Sequence, residues 1–155
     1  SNPLCTMTSY VRAELRRLVE SRARRLCEYC LIHEDDTYLG CQVDHIIAEK
    51  HGGVTDAGNL SYACTCCNRA KGSDIGSVAS STGEFIRLFN PRSDRWIEHF
   101  QLNGVVIEPR TLIGEATVRV LRINELERIL ERRVLQSIGR YPPAVAAEYL
   151  AEGRL

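Results

Sequence analysis

Four cysteines at matched spacing carry the clearest chemistry in this sequence. Cys27 and Cys30 form one C-x2-C pair, and Cys64 and Cys67 form a second. Two such pairs supply four thiolates, the number that closes a tetrahedral zinc site. The total of seven cysteines is odd, which argues for metal or reduced thiols rather than a disulfide framework. Buried free thiols alone would not explain the repeated spacing. Cys5, Cys41 and Cys66 fall outside the pattern. Cys66 is the one substitute ligand, since C-T-C-C offers three sulfurs, but the x2 spacing favours Cys64 and Cys67. Cys41 reads as a buried thiol. A structural zinc here would hold a loop-rich core that cannot bury enough apolar surface by itself.

The elements that must position these residues follow from patterning. The chain has 155 residues, 44% hydrophobic and 26% charged, an ordinary globular composition. That length favours one domain with an appended arm. No run of about 18 apolar residues exists, which excludes a membrane-spanning helix. The first residues lack the apolar core of a signal peptide, so the expected location is cytoplasmic. Residues 1–8 read as a disordered start or tag remnant, which would remove Cys5 from consideration. Ser9 is a candidate cap for a helix running to Cys30, with Val11, Leu15, Leu18, Val19 and Leu26 on one face. Its arginines read equally as a solvated face or a phosphate-contacting one.

Further along, Gln42–Ile47 and Leu60–Ala63 are short strand candidates, and Asn68–Lys71 starts a helix stopped by Gly72. Residues 72–84 read as a weak linker. Glu84–Phe89 and Trp96–Leu102 read as strands, and Asn103-Gly104 before VVIE signals a type I′ hairpin. Thr111 and Asn124 are helix-cap candidates, and Leu126, Ile129, Leu130 and Val134 form a helical apolar stripe. The last fifteen residues read as a short tail of one or two helical turns. His99 reads as a packing residue, His51 as a loop residue, and Asp35-Asp36 as a solvated loop.

Between the cysteine pairs runs VDHIIAEKHGGVTDAGNLSYACTCCNRAKG. The order C-x2-C, D-H-I, G-G, N-L, C-x2-C-N-x2-K-G resembles the HNH endonuclease family, in its zinc-knuckle, H-N-N variant. The resemblance covers roughly residues 25–73. Residues 73–135 also resemble, more faintly, the C-terminal extension of a bacterial subset of these proteins. The implied fold is α+β. A ββα-metal core with a C-x2-C/C-x2-C zinc site would be joined to an N-terminal helix and a C-terminal β-hairpin plus helix extension. The expected division is 9–75 for helix and nuclease core and 76–155 for a strand–helix extension packed on it. By the same resemblance Asp44 and Asn68 would ligate a catalytic divalent ion, His45 would be the general base, and Asn59 would hold the His-bearing segment. The residue types suit that chemistry. Phosphodiester hydrolysis needs an activated water and a charge sink. A neutral imidazole accepts a proton near neutral pH, and hard oxygen ligands suit Mg²⁺ or Mn²⁺. Arg69 and Lys71 would steady a neighbouring phosphate. Consecutive strand residues face opposite sides, so the backbone must bulge or end at Asp44–His45.

The implied function is metal-dependent hydrolysis of DNA, most naturally double-stranded, with structural Zn²⁺ and catalytic Mg²⁺ or Mn²⁺. Two alternatives stand beside it: a non-catalytic zinc-ribbon module that binds nucleic acid, and an RNA-directed nuclease of the same fold. Twenty basic residues against twenty acidic ones exclude binding by bulk positive charge. The charge is local, because residues 1–30 net +3 whereas residues 31–75 carry seven acids against three bases. A homodimer or protein partner would be one source of further basic surface.

Overall fold

The structure, a computed structural model, describes residues 11–152; Ser9, Cys5 and the expected disordered start lie outside the described residues. The first helix, α1, spans Ala13–Arg22 and lays Val19 into a small core with Val11, Ala23, Leu60 and Tyr62. It ends eight residues before the expected Cys30. Arg24 and Arg25 take positive φ (53° and 59°), and the chain then reverses so that Cys27 N donates to Ile32 O at 2.8 Å. The cysteine knuckle needs this tight reversal, and a continuing helix would forbid it. Leu26 is therefore buried outside the helix, and Leu18 of the expected stripe is 48% exposed.

Next comes an antiparallel pair, β1 (Cys41–His45) and β2 (Leu60–Cys64), in unbroken register from Cys41 opposite Cys64 to His45 opposite Leu60. β2 is buried along its whole length. It leads directly into α2 (Thr65–Lys71), which the Cys64 sulfur caps by accepting from Cys67 N. Gly72, with φ 51°, stops the helix.

The expected linker contains a strand instead. β3 (Gly76–Val78) pairs with β4 (Phe85–Arg87). No periodicity marks this Gly/Ser-rich segment; Arg119, from a distant helix, holds it through Ser77 Oγ and Val78 O. Trp96–His99 is a one-turn helix, α3, rather than the start of a strand. It buries Trp96, whose Nε1 donates to Tyr29 O at 2.9 Å. β5 (Phe100–Asn103) and β6 (Val106–Pro109) form the expected hairpin with its turn one residue later. Asn103 pairs with Val106, so Gly104 and Val105 make the turn and only Gly104 takes positive φ. Glycine at the first central position with positive φ belongs to type II′ rather than I′.

Three helices close the fold: α4 (Leu112–Val120), α5 (Leu126–Ser137) and α6 (Ala144–Glu152). Thr111 caps α4 by accepting from Gly114 N. Asn124 does not cap α5. Its amide pairs with both backbone groups of Ile107 in β6. On α5 the expected apolar stripe divides: Ile129 packs against the core, Leu126 and Val134 are 68% and 63% exposed, and the helix also turns Arg132 into the core. The expected tail is a nine-residue helix whose Tyr149 hydroxyl donates to the buried Glu28. Asp35 is exposed, as a solvated loop residue would be, and pairs with Arg25, whereas the Asp36 carboxylate is largely covered and pairs with Arg140. His99 does pack, its ring edge-on to Phe89 and bonded to Thr111. Among the described residues, no helix is long and apolar enough to cross a membrane.

One apolar cluster runs from the first knuckle (Cys27, Tyr29, Leu31) through Phe89, Trp96 and Phe100 to Leu121 and Ile123. Residues after 75 therefore share their core with residues before it. Arg132 anchors the far side without a carboxylate. It is 1% exposed and donates to Val105 O, Ile123 O and Asn124 Oδ1 at 2.7–3.0 Å. Removing the guanidinium strands two buried carbonyl oxygens, those of Val105 and Ile123, each worth about 1–3 kcal/mol, and takes one of two donors from Asn124 Oδ1. Arg132→Met, which keeps the aliphatic stem, is expected to lower unfolding free energy by roughly 3–5 kcal/mol. Urea unfolding of the zinc-loaded protein measures this, and a loss under about 1 kcal/mol would show that those oxygens find other partners.

Candidate metal centre and catalytic loop

The four paired cysteines converge. Sγ atoms of Cys27, Cys30, Cys64 and Cys67 lie within 4.8 Å of one another, and all four residues are buried. The Cys30 and Cys64 sulfurs are 3.7 Å apart. Four sulfurs about 2.3 Å from a tetrahedral zinc sit about 3.8 Å from each other, so the cluster fits zinc and leaves Cys66, which is exposed, outside it. Cys41 is half-buried rather than fully buried, and burial pushes its thiol well above the usual range. Four thiolates around Zn²⁺ leave a net charge of −2 in the core. Arg128 of α5 answers it, its Nη2 reaching Cys67 Sγ at 3.3 Å and Cys64 Sγ at 3.6 Å. Sequence gave no signal for this arginine, one of three on α5.

β1 delivers the next residues. Gln42 and Asp44 alternate onto the side that meets α2. There Asn68 Nδ2 donates to Gln42 Oε1 at 2.7 Å and Lys71 Nζ to Asp44 Oδ2 at 2.9 Å. Asn68 and Lys71 are three residues apart and so share a helix face. The structure thus brings Asp44 and Asn68 to one β1–α2 seam. Asn68 uses its amide nitrogen on Gln42, which leaves the amide oxygen as its remaining acceptor. Burial raises the Asp44 carboxyl above its ordinary range, an effect the Lys71 ammonium opposes without cancelling. Carboxylate and amide oxygens are hard donors, so the pair Asp44 and Asn68 fits a hard divalent ion.

Lys71 departs from its expected place. It is 2% exposed, and its ammonium serves Asp44 Oδ2, His45 O and Gly72 O. Three protons meet three acceptors, so Lys71 is the counter-ion of Asp44 rather than a phosphate contact. Arg69, two residues before it on α2, is exposed.

β1 ends at His45 with no bulge, so the strand resolves the facing problem by stopping. The His45 ring points to the following loop, where Nε2 lies 2.8 Å from Thr55 Oγ1. Thr55 in turn donates to Glu49 Oε1 at 3.2 Å. No spacing rule links His45 to a threonine ten residues away, and both Thr55 and Glu49 escaped the sequence reading. Asn59 ties the same loop across its width. Its Oδ1 accepts from Ile47 N, and its Nδ2 donates to Ile47 O and Val54 O, all at 2.8–2.9 Å. Gly53 permits the clamp, because a Cβ there would fall 1.7 Å from Ile47 O and 2.8 Å from Asn59 Nδ2. His51 lies exposed in a single helical turn, Glu49–His51.

Residues 27–74 match the HNH endonuclease family, and that segment is an HNH domain. The chain is also similar to the Septu protein PtuB of Bacillus thuringiensis, 26% identical over 111 residues. That alignment takes in 70% of this chain, which spans about 40% of the length of that relative. No solved structure matches.

The sulfur cluster makes a direct prediction. Elemental analysis should find one zinc per chain, and Cys67→Ser should lower that content and unfold the core, because structural zinc binding is folding energy. Folded protein free of zinc would contradict it.

Proposed function

We propose, starting from the HNH domain at residues 27–74, that the chain is a metal-dependent endonuclease that hydrolyses phosphodiester bonds in DNA. One observation carries the reading: Asp44 and His45 stand side by side where β1 stops. The carboxylate is turned to the seam that holds Asn68, and the imidazole is turned to the loop. Asp44 and Asn68 are the residues that would hold a divalent ion. Mg²⁺ or Mn²⁺, when bound, supplies a charge sink for the phosphate and help for the leaving oxygen. His45 takes the proton of the attacking water. Asn59 keeps the loop after β1 in one conformation, and exposed Arg69 of α2 offers a phosphate contact. The zinc held by Cys27, Cys30, Cys64 and Cys67 is structural. DNA rather than RNA is the proposed substrate, and duplex plasmid beside a single-stranded RNA in the same assay decides between them.

A second reading has an observation of its own. Lys71 already neutralises Asp44, which is what a zinc-ribbon module that binds nucleic acid without cutting would need. Cleavage separates the two. His45→Ala should keep fold and zinc but slow plasmid cleavage roughly 10²–10⁴-fold, the usual worth of a general base. Cleavage at the parent rate would remove His45 from the role, and a parent protein that binds plasmid but never nicks it would favour the binding module.

The oxygen ligands make a separate prediction. Activity should follow added Mg²⁺ or Mn²⁺, and Asn68→His should shift the preference toward Ni²⁺ or Zn²⁺, which accept imidazole nitrogen readily. An unchanged metal titration in Asn68→Asp would assign Asn68 to the helix surface alone.

A further inference from the structure

The loop after β1 contains a hydrogen-bond chain that neither the HNH match nor the sequence motif assigns: Glu49, Thr55, His45. Its directions follow from the inventory of protons. An ionised carboxylate only accepts, and a hydroxyl has one proton. Thr55 gives that proton to Glu49 Oε1 at 3.2 Å, so toward His45 Nε2, 2.8 Å away, the same oxygen must accept. An imidazole nitrogen that donates is protonated, and in the neutral ring the other nitrogen is then bare. The bond on one ring nitrogen thereby decides which nitrogen is free to act.

We propose that Thr55 and Glu49 are positioning residues that hold His45 in its Nε2–H tautomer, leaving Nδ1 as the nitrogen that accepts the proton of water. The proposal rests on the reading of His45 as the general base. Glu49 sets the direction of the chain. Without its carboxylate, the Thr55 hydroxyl loses the acceptor that directs its proton, which opens donation to Nε2; that donation selects the opposite tautomer and blocks Nδ1 with a proton. The same loop is fixed elsewhere by Asn59 on Ile47 and Val54. Loss of the Thr55 hydroxyl therefore removes the orientation of the ring while the Asn59 clamp stays in place.

The test combines kinetics with a spectrum, using the full zinc-loaded chain. Thr55→Val should lower kcat about 10–100-fold, the range for partners that orient an active group, with KM for plasmid little changed. Thr55→Ser should restore it, and Glu49→Ala should fall in the same direction. In a His45→Ala background Thr55→Val should cost nothing more, since its effect passes only through the ring. On ¹⁵N-histidine-labelled protein without DNA, the His45 ring nitrogens should report one Nε2–H form in the parent, and a mixture or the opposite form in Glu49→Ala. Full kcat in Thr55→Val, an added loss in the His45→Ala background, or an unaltered ring spectrum in Glu49→Ala would each overturn the proposal. Failure of the underlying reading looks different, because His45→Ala itself would then cleave at the parent rate.

Discussion

The structure depends on bringing four sulfurs, from two segments more than thirty residues apart, into a sphere less than 5 Å across. Thiolates crowded this way repel one another unless a cation sits among them, and zinc thiolate bonds contribute directly to folding. Everything between the pairs hangs from that closure. Residues 31–63 become a loop with both ends fixed, and β1 and β2 pair inside it in a register that sets Cys41 against Cys64. The helix that presents Asn68 and Lys71 begins at the second knuckle, capped by one of its own sulfurs.

The same closure explains why the later part of the chain packs where it does. A core holding four thiolates and one Zn²⁺ is negative, and Arg128 of α5 is placed against two of the sulfurs. A second buried carboxylate, Glu28, lies inside the first knuckle and is met by Arg92, Tyr149 and Tyr62 N. Both contacts draw residues beyond 75 onto the knuckles. Apolar burial from Phe89, Trp96 and Phe100 then makes the joint cluster continuous. Electrostatics sets where these elements dock, and area burial supplies most of the free energy.

What was legible in the sequence follows from how local each signal is. The cysteine spacing, the Asn103-Gly104 region and the Thr111 cap act within a few residues, and each appears within a residue of its expected place. Reading failed where a distant partner decides. Of the α5 stripe of Leu126, Ile129, Leu130 and Val134, Ile129 packs on the core and the other three are exposed. Arg132 also faces inward, because the carbonyl oxygens of Val105 and Ile123 await a donor there. The strand at Gly76–Val78 exists because Arg119 reaches it from α4. Lys71 looked like a surface base within a short helix, yet Asp44 across the seam draws it inside. At the candidate site, the motif located Asp44, His45, Asn59 and Asn68 but was silent on Gln42, Glu49 and Thr55, whose roles come only from the folded loop.

The proposed function divides two metals of different kind within one small domain: zinc among the four sulfurs, and a hard ion at the oxygens of Asp44 and Asn68. Brief chelation followed by metal add-back, with zinc quantified in the same samples, tests that division most directly. The account predicts that mild chelation abolishes plasmid cleavage while zinc stays at one per chain, and that Mg²⁺ or Mn²⁺ alone restores cutting. Cleavage that survives mild chelation, or that returns only when zinc is resupplied, would contradict it.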